Sequence, residues 1–379
     1  MASNFWDGTD EDEGDASSRV GSSQGQGRQR QESSYETQIL ENSIQKIGAL
    51  LAVGFGDAGA KVIAENIRNE GDINPMVPGR KTVAVFGFCD IRRFTDTTEV
   101  LQEEVMEFVN SIAHIVHTSC ALHGGAANKN IGDAFLLVWK FPEGFTCTDL
   151  QEAVATTQRS QLTSLVNVVA DNALAAFVVV HAALRRSVRL ARYAARADLA
   201  ERLGANFRVQ MGFGLHVGWA IEGAIGSEYK IDASYLSPNV NMASRLEAAT
   251  KQFGVSMLLS GEFVDCLSPS VRAKVRQIDC VTEAFWAEYV TGWEDNDDLV
   301  RTWGASPAFI ASFETGFQAY KRGDWQTARV LLAGTLHARV GHSGVATSDG
   351  PSQVLLDFMA RHDFCAPHNW RGFRELTEK

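Results

Sequence analysis

The apolar run Val83-Ala-Val-Phe-Gly-Phe-Cys-Asp90 ends in a carboxylate and continues Ile91-Arg-Arg-Phe94-Thr95. Further along, Lys129-Asn-Ile-Gly-Asp133 sets a second carboxylate in a Gly-Asp turn. A strand that delivers one aspartate and a turn that delivers another can face a divalent cation toward a phosphate. Two carboxylates a few ångströms apart repel until one takes a proton or a cation lies between them. Strands also end in Asp for other reasons, and Gly-Asp is ordinary turn chemistry. The two aspartates alone leave both readings open.

A third element narrows the choice. In Ser237-Pro-Asn-Val-Asn241-Met-Ala-Ser-Arg245-Leu-Glu247, Ser237 is placed to cap a helix and Pro238 to open it. The spacing predicts a helix to Phe253, with Lys251 in the last turn and Gly254 closing it. Asn241 and Arg245 are four apart and share a face. An amide suited to a ribose and a guanidinium suited to a phosphate then stand side by side. The alternative is a solvated polar stripe opposite Val240, Ala243 and Leu246.

Together these segments resemble the catalytic domain of the class III nucleotidyl cyclases, over residues about 80 to 282. Phe88-Cys-Asp90-Ile-Arg-Arg-Phe94-Thr95 is similar to the first metal motif and Asn130-Ile-Gly-Asp133 to the second. Val240-Asn241-Met-Ala-Ser-Arg245-Leu-Glu247 is similar to the ribose and transition-state motif. Gly214-Leu-His-Val-Gly218 through Gly226 is similar to the glycine-punctuated strand pair that precedes it. Order and approximate spacing agree.

The resemblance implies a homodimer with two shared sites. Asp90, Ile91 and Asp133 of one chain would hold two Mg²⁺ ions, with Mn²⁺ as a substitute. Lys129, Ser234, Asn241 and Arg245 would come from the other chain. Backbone amides near Phe94 and Thr95 would cradle the outer phosphates. One metal would acidify the ribose 3′-hydroxyl and the other would neutralise departing pyrophosphate. Arg245 would stabilise charge around the α-phosphorus and Asn241 would orient the ribose. Lys129 and Ser234 occupy the family's base-reading positions. A lysine donor suits N1 of adenine, so ATP is expected over GTP; a guanylate cyclase and a catalytically silent dimerisation module are the alternatives.

Two departures stand out. Arg93 occupies a position where the family usually has glycine. After Arg276-Gln-Ile-Asp-Cys-Val-Thr282 the chain continues Glu283-Ala-Phe-Trp, without the Lys-Gly turn whose lysine would grip phosphate.

Composition is compatible with this reading. At 379 residues and 45% apolar content the chain can bury a full core. Its net charge of −11 argues against a nucleic-acid groove. Six cysteines without CxxC spacing fit a reducing compartment, and a cytoplasmic location is expected, directly or beside a membrane through a partner or longer parent. No stretch is expected to cross a bilayer, the best being Ala173–Leu184 with His181 inside it. His216 is expected to be structural. No Walker lysine loop or HExxH motif is present.

The expected fold class is α+β, a ferredoxin-like nucleotidyl cyclase domain with an N-terminal helix and a C-terminal helical extension. Residues 1–34, Ser, Gly and Gln rich, hold seven acids against three arginines and are expected to be disordered. Residues 35–79 form a helical lead-in and linker, 80–290 the catalytic domain, and 305–379 the extension. Within the domain, Asp96-Thr-Thr-Glu99 predicts a capping box, 145–167 a surface insertion, and 172–197 a helix. Phe313 to Ala328 predicts a helical hairpin packed on the domain.

Overall fold

The structure is a computed structural model and describes residues 37–51, 53–54, 56, 59, 64, 78–156, 160–227, 229–282, 285–290, 306–340 and 346–374. The acidic tail, most of the linker and the turn after Thr282 lie outside the described residues. The chain forms two units, Met1–Val53 and Gly54–Lys379. In the first, residues 37–51 form a helix (α1) whose Ile39, Leu40, Ile44, Ile47 and Leu50 are exposed.

The second unit is built around β1 (Arg80–Ile91), whose residues 83–87 are all buried. A strand covered on both faces reads as a continuous apolar run, which is what the sequence carries there. Val83, Val85, Cys89 and Ile91 face the main core, while Ala84, Phe86 and Phe88 face a smaller second cluster. Period-two alternation puts Asp90 on the second face.

Antiparallel partners flank β1: β3 (Ala134–Lys140), which also pairs with β2 (Ala126–Ile131), and β4 (Met211–Ser227). The sheet continues from β4 through β6 (Met257–Ser260), paired in parallel, to β8 (Phe285–Val290) and β7 (Val275–Thr282), while β5 (Lys230–Leu236) pairs with the far end of β4. Helices α2 (Phe94–Leu101), α3 (Val105–Leu122), α4 (Cys147–Ala155), α5 (Gln161–Arg186), α6 (Val188–Ala194) and α7 (Ala197–Leu203) complete this α+β domain. Main-core packing includes Phe108, Ile112 and Val116 of α3 with Ala173, Phe177 and Val180 of α5.

Three expectations are corrected. Segment 145–167 is largely helical, comprising α4 and the first turns of α5, with Ala153 and Val166 buried, so it contributes to the core. The helix expected over 172–197 begins at Gln161 and breaks at Ser187, whose side chain caps α6 through the Leu190 amide. α5 also has the length and apolar composition to cross a membrane, contrary to the sequence expectation. Half of its most apolar window is buried inside the fold, the pattern of a core helix.

α8 (Pro238–Phe253) follows its predicted boundaries. The Ser237 hydroxyl accepts from the Asn239 amide, Pro238 opens the helix, and Gly254 closes it at φ 61°. It lies directly on β4 because glycines there leave no side chain between. A Cβ at Gly214 would fall 2.2 Å from the Ala243 carbonyl oxygen, and one at Gly218 would fall 2.4 Å from Asn239 Cγ. His216, between them, bonds Ser260 Oγ at 2.7 Å and Asn239 Oδ1 at 3.1 Å, and burial lowers its pKa. It ties strand to helix as a structural residue. Two short helices follow β6: α9 (Gly261–Asp265) and α10 (Pro269–Arg272).

The extension holds α11 (Pro307–Lys321), α12 (Trp325–Thr335), the β9–β10 hairpin (Arg339–Val340, Ala346–Thr347) and α13 (Gly350–Ala360). Phe313, Phe317, Tyr320, Trp325 and Met359 join the main core, so the predicted hairpin does pack on the domain. Arg276 of β7 meets Asp349 at 2.7 Å, both buried, with its guanidinium over Phe309 and Phe313. Arg374 meets Asp279 of β7, also at 2.7 Å.

Candidate functional site

β1 carries Asp90 at its end, and the β2–β3 turn carries Asp133 after Gly132, which needs its positive φ of 65°. Register fixes their meeting: Asp90 lies opposite Ala134, and the Ile91 amide donates to the Asp133 carbonyl at 3.2 Å. The two carboxyl groups lie close enough for Asp133 to act on Asp90. Burial raises the Asp90 pKa, the Asp133 charge raises it further, and Lys251 opposes both. Lys251 Nζ stands 3.4 Å from Asp90 Oδ2.

Such a pair suits a hard divalent cation, which takes oxygen ligands and relieves the repulsion that lifts the Asp90 pKa. Among the described residues no group of three or more His, Cys, Asp or Glu side chains could hold a metal. A cation held by two carboxylates would fill its remaining positions with water and phosphate oxygens.

Behind Asp90 lies an ion pair that sequence reasoning missed. Arg92 Nη1 stands 3.2 Å from Glu247 Oε1, and Arg92 also donates to Thr250 Oγ1. Burial, with the Asp90 charge, lifts the Glu247 pKa to about 7 despite Arg92. The guanidinium occupies space that only a glycine at 212 leaves, since a Cβ there would fall 2.3 Å from Arg92 Nη2. No local spacing signalled it, because Arg92 and Glu247 lie on separate segments of the chain.

Phe94 and Thr95 open α2 beside this pair. The capping box expected at Asp96–Glu99 does not form, because the cap position falls at Arg93, three residues before Asp96. Arg93 makes the entry in the left-handed region, at φ 56°, ψ 35°. That conformation costs a non-glycine residue about 1 kcal/mol and accounts physically for glycine as the usual residue there. The Arg93 side chain offsets part of the cost by donating to the Leu203 carbonyl at 2.7 Å.

The expected base readers are neighbours across β2 and β5. Lys129 Nζ pairs with Asp232 at 3.1 Å. Ser234 is buried and donates to Asn128 Oδ1 at 3.3 Å, while the Asn128 amide reaches the Ala233 carbonyl. The exposed partner of Lys129 is thus Asp232, two residues earlier on the same strand face. Asn241 and Arg245 lie on the exposed side of α8. No hydrogen bond or ion pair among the described residues joins them to Asp90 or Asp133.

Known proteins bear on this arrangement. Residues 77–283 match the adenylate and guanylate cyclase catalytic domain. Residues 8–68 match the all-helical domain of RasGEFs. An adenylate cyclase of Anabaena cylindrica is 28% identical over 193 residues, 51% of this chain and 32% of that protein. The terminal-differentiation specific adenylate cyclase of Dictyostelium discoideum is 28% identical over 217 residues, 56% of this chain and 8% of that protein. The chain thus spans a third or less of these relatives. Among solved structures, a bacterial light-regulated adenylyl cyclase is 22% identical with a TM-score of 0.49, covering 70% of this chain and 67% of its own. The guanylyl cyclase Cya2 is 21% identical with a TM-score of 0.40, covering 58% and 98%. The domain match takes in more than half of the chain, from just before β1 to the end of β7, and encloses the Asp90–Asp133 pair and α8. The chain belongs to the family of adenylate and guanylate cyclase catalytic domains.

Proposed function

We propose that the protein converts ATP to 3′,5′-cyclic AMP and pyrophosphate, at two sites shared across a homodimer, in cyclic-nucleotide signalling within the cytoplasm. The observation that carries this reading is the Asp90–Asp133 carboxyl pair, held together by β1 and the β2–β3 turn with a lysine tip as its nearest cation. Two Mg²⁺ ions bound there would supply the acidity that ionises the ribose 3′-hydroxyl and the charge that offsets the leaving group. The 3′-oxygen attacks the α-phosphorus, the bond from that phosphorus to the bridging oxygen breaks, and pyrophosphate departs with the bonding pair. Asn241 and Arg245, outward on α8, are free to meet a nucleotide held by a second copy. Asn241 orients the ribose, and Arg245 meets the charge building on the α-phosphate. The amides at the start of α2, at Phe94 and Thr95, receive the outer phosphates.

Lys129 supplies a donor to adenine N1, and Asp232 beside it an acceptor for the exocyclic amino group. The same pair also gives the second reading a specific basis. A lysine donor faces guanine O6, and a carboxylate accepts from guanine N1–H, so GTP is the alternative substrate. Incubation with ATP or GTP and either Mg²⁺ or Mn²⁺, followed by product measurement, decides between them. Cyclic AMP as the main product is expected. Absence of both cyclic nucleotides from an intact dimer would establish the silent module instead.

A further inference from the structure

A cleft of about 500 Å³ opens beside Asp90, between α5, the start of β4, the end of α8 and the β9 strand. Arg92, Arg185, Lys251 and Arg339 line it, and no Asp or Glu does. Three of these cations are steadied by carboxylates outside the lining: Arg92 by Glu247 at 3.2 Å, Lys251 by Asp90 at 3.4 Å and Arg339 by Asp349 at 3.4 Å. The Thr250 hydroxyl joins the wall, as does Ser256, whose buried Oγ makes no hydrogen bond. A concave wall of four cations with an unsatisfied hydroxyl is built for an anion carrying several oxygens.

We infer that this cleft binds a polyphosphate and that Lys251 is shared between it and Asp90. In the free protein Lys251 sits against Asp90. Because its side chain is more than half exposed and already lines the cleft, it can turn from the carboxylate to an anion bound there. The cleft thereby supplies, from α8 and α5, the grip on outer phosphates that the sequence after Thr282 lacks. The cyclase reading underlies only the source of the anion, the triphosphate tail of a nucleotide and the pyrophosphate it releases. A free polyphosphate offers the same chemistry.

The test titrates sodium pyrophosphate calorimetrically into the full-length protein, with EDTA present so that no metal contributes. Binding is expected. The Lys251→Ala/Arg185→Ala variant, with an unchanged melting temperature, should bind about a hundredfold more weakly, on the order of tenfold per cation lost. Lys251→Arg should restore most of its own share. Displacement of pyrophosphate by a non-hydrolysable ATP analogue but not by AMP identifies the nucleotide tail as the occupant. Binding without such competition identifies a free polyphosphate and overturns the nucleotide-tail assignment alone. No pyrophosphate binding, or equal binding by the double variant, overturns the cleft. Since the titration needs no turnover, pyrophosphate binding without any cyclic product would defeat the cyclase reading while leaving the cleft standing.

Discussion

Two pairs of aspartates in this domain answer burial in opposite ways. Asp279 and Asp349 are completely buried, and each is met at 2.7 Å by a guanidinium, from Arg374 and Arg276. Asp90 and Asp133 face each other instead, and among the described residues the cation paired with Asp90 is the tip of a solvent-exposed lysine. Where a carboxylate serves the fold, its countercharge is internal and permanent. At the candidate site the countercharge on Asp90 is an exposed lysine that can leave.

Removing charge should therefore damage the two pairs differently. Asp349→Ala leaves Arg276 buried against Phe309 and Phe313 without its carboxylate, and the loss should be about 3–5 kcal/mol. Thermal or urea unfolding measures it, and a change below about 1 kcal/mol would erase the distinction. Asp90→Asn should leave the melting temperature equal or higher, because it removes repulsion, while lowering the cyclisation rate about a hundredfold or more. A variant that cyclises like the parent would show the functional pair to be elsewhere.

A third experiment sharpens the comparison at Glu247, which stands between the two cases with one guanidinium and a nearby Asp90. Its pKa is near 7 in the folded chain against an ordinary 4.5. The unfolded chain gives up this proton first as pH rises. Stability from the group is thus complete below pH 4.5 and lost as pH passes through 7. Glu247→Gln should flatten the melting-temperature profile across that window. An unchanged slope would mean that Arg92 fully neutralises the carboxylate. The smallest effect is expected at Arg93, where Arg93→Ala should be less stable than Arg93→Gly by about 1 kcal/mol. The reverse order would remove backbone strain from the account.

What could be read from the chain beforehand follows the range of each interaction. The cap, first turn and stop of α8 are local chemistry, and Ser237, Pro238 and Gly254 behave as their residue types predict. β1 was equally plain, since a long apolar run ending in Asp has few other homes. The start of α2 misled because Asp96 and Glu99 have the right spacing for a capping box. Arg93 instead turns the chain earlier through a conformation that its residue type disfavours. Arg92 with Glu247, Lys251 with Asp90 and Arg276 with Asp349 join distant segments, and no periodicity announces them. Ser234 had the right separation from Asn241, yet its strand position turns it to Asn128 and leaves Asp232 exposed beside Lys129.

The contact between Gly350 and the end of α8 has a mechanical side. A Cβ at Gly350 would fall 2.1 Å from the Phe253 carbonyl oxygen, so the first turn of α13 abuts the last turn of α8 with no cushion between them. A helix of this length is a stiff strut of about 24 Å. Its near end, at Lys251, touches Asp90, and its far end presents Asn241 to the outside. With no side chain at Gly350, Gly214 or Gly218 to act as a cushion, α8 is held directly between backbone on two sides.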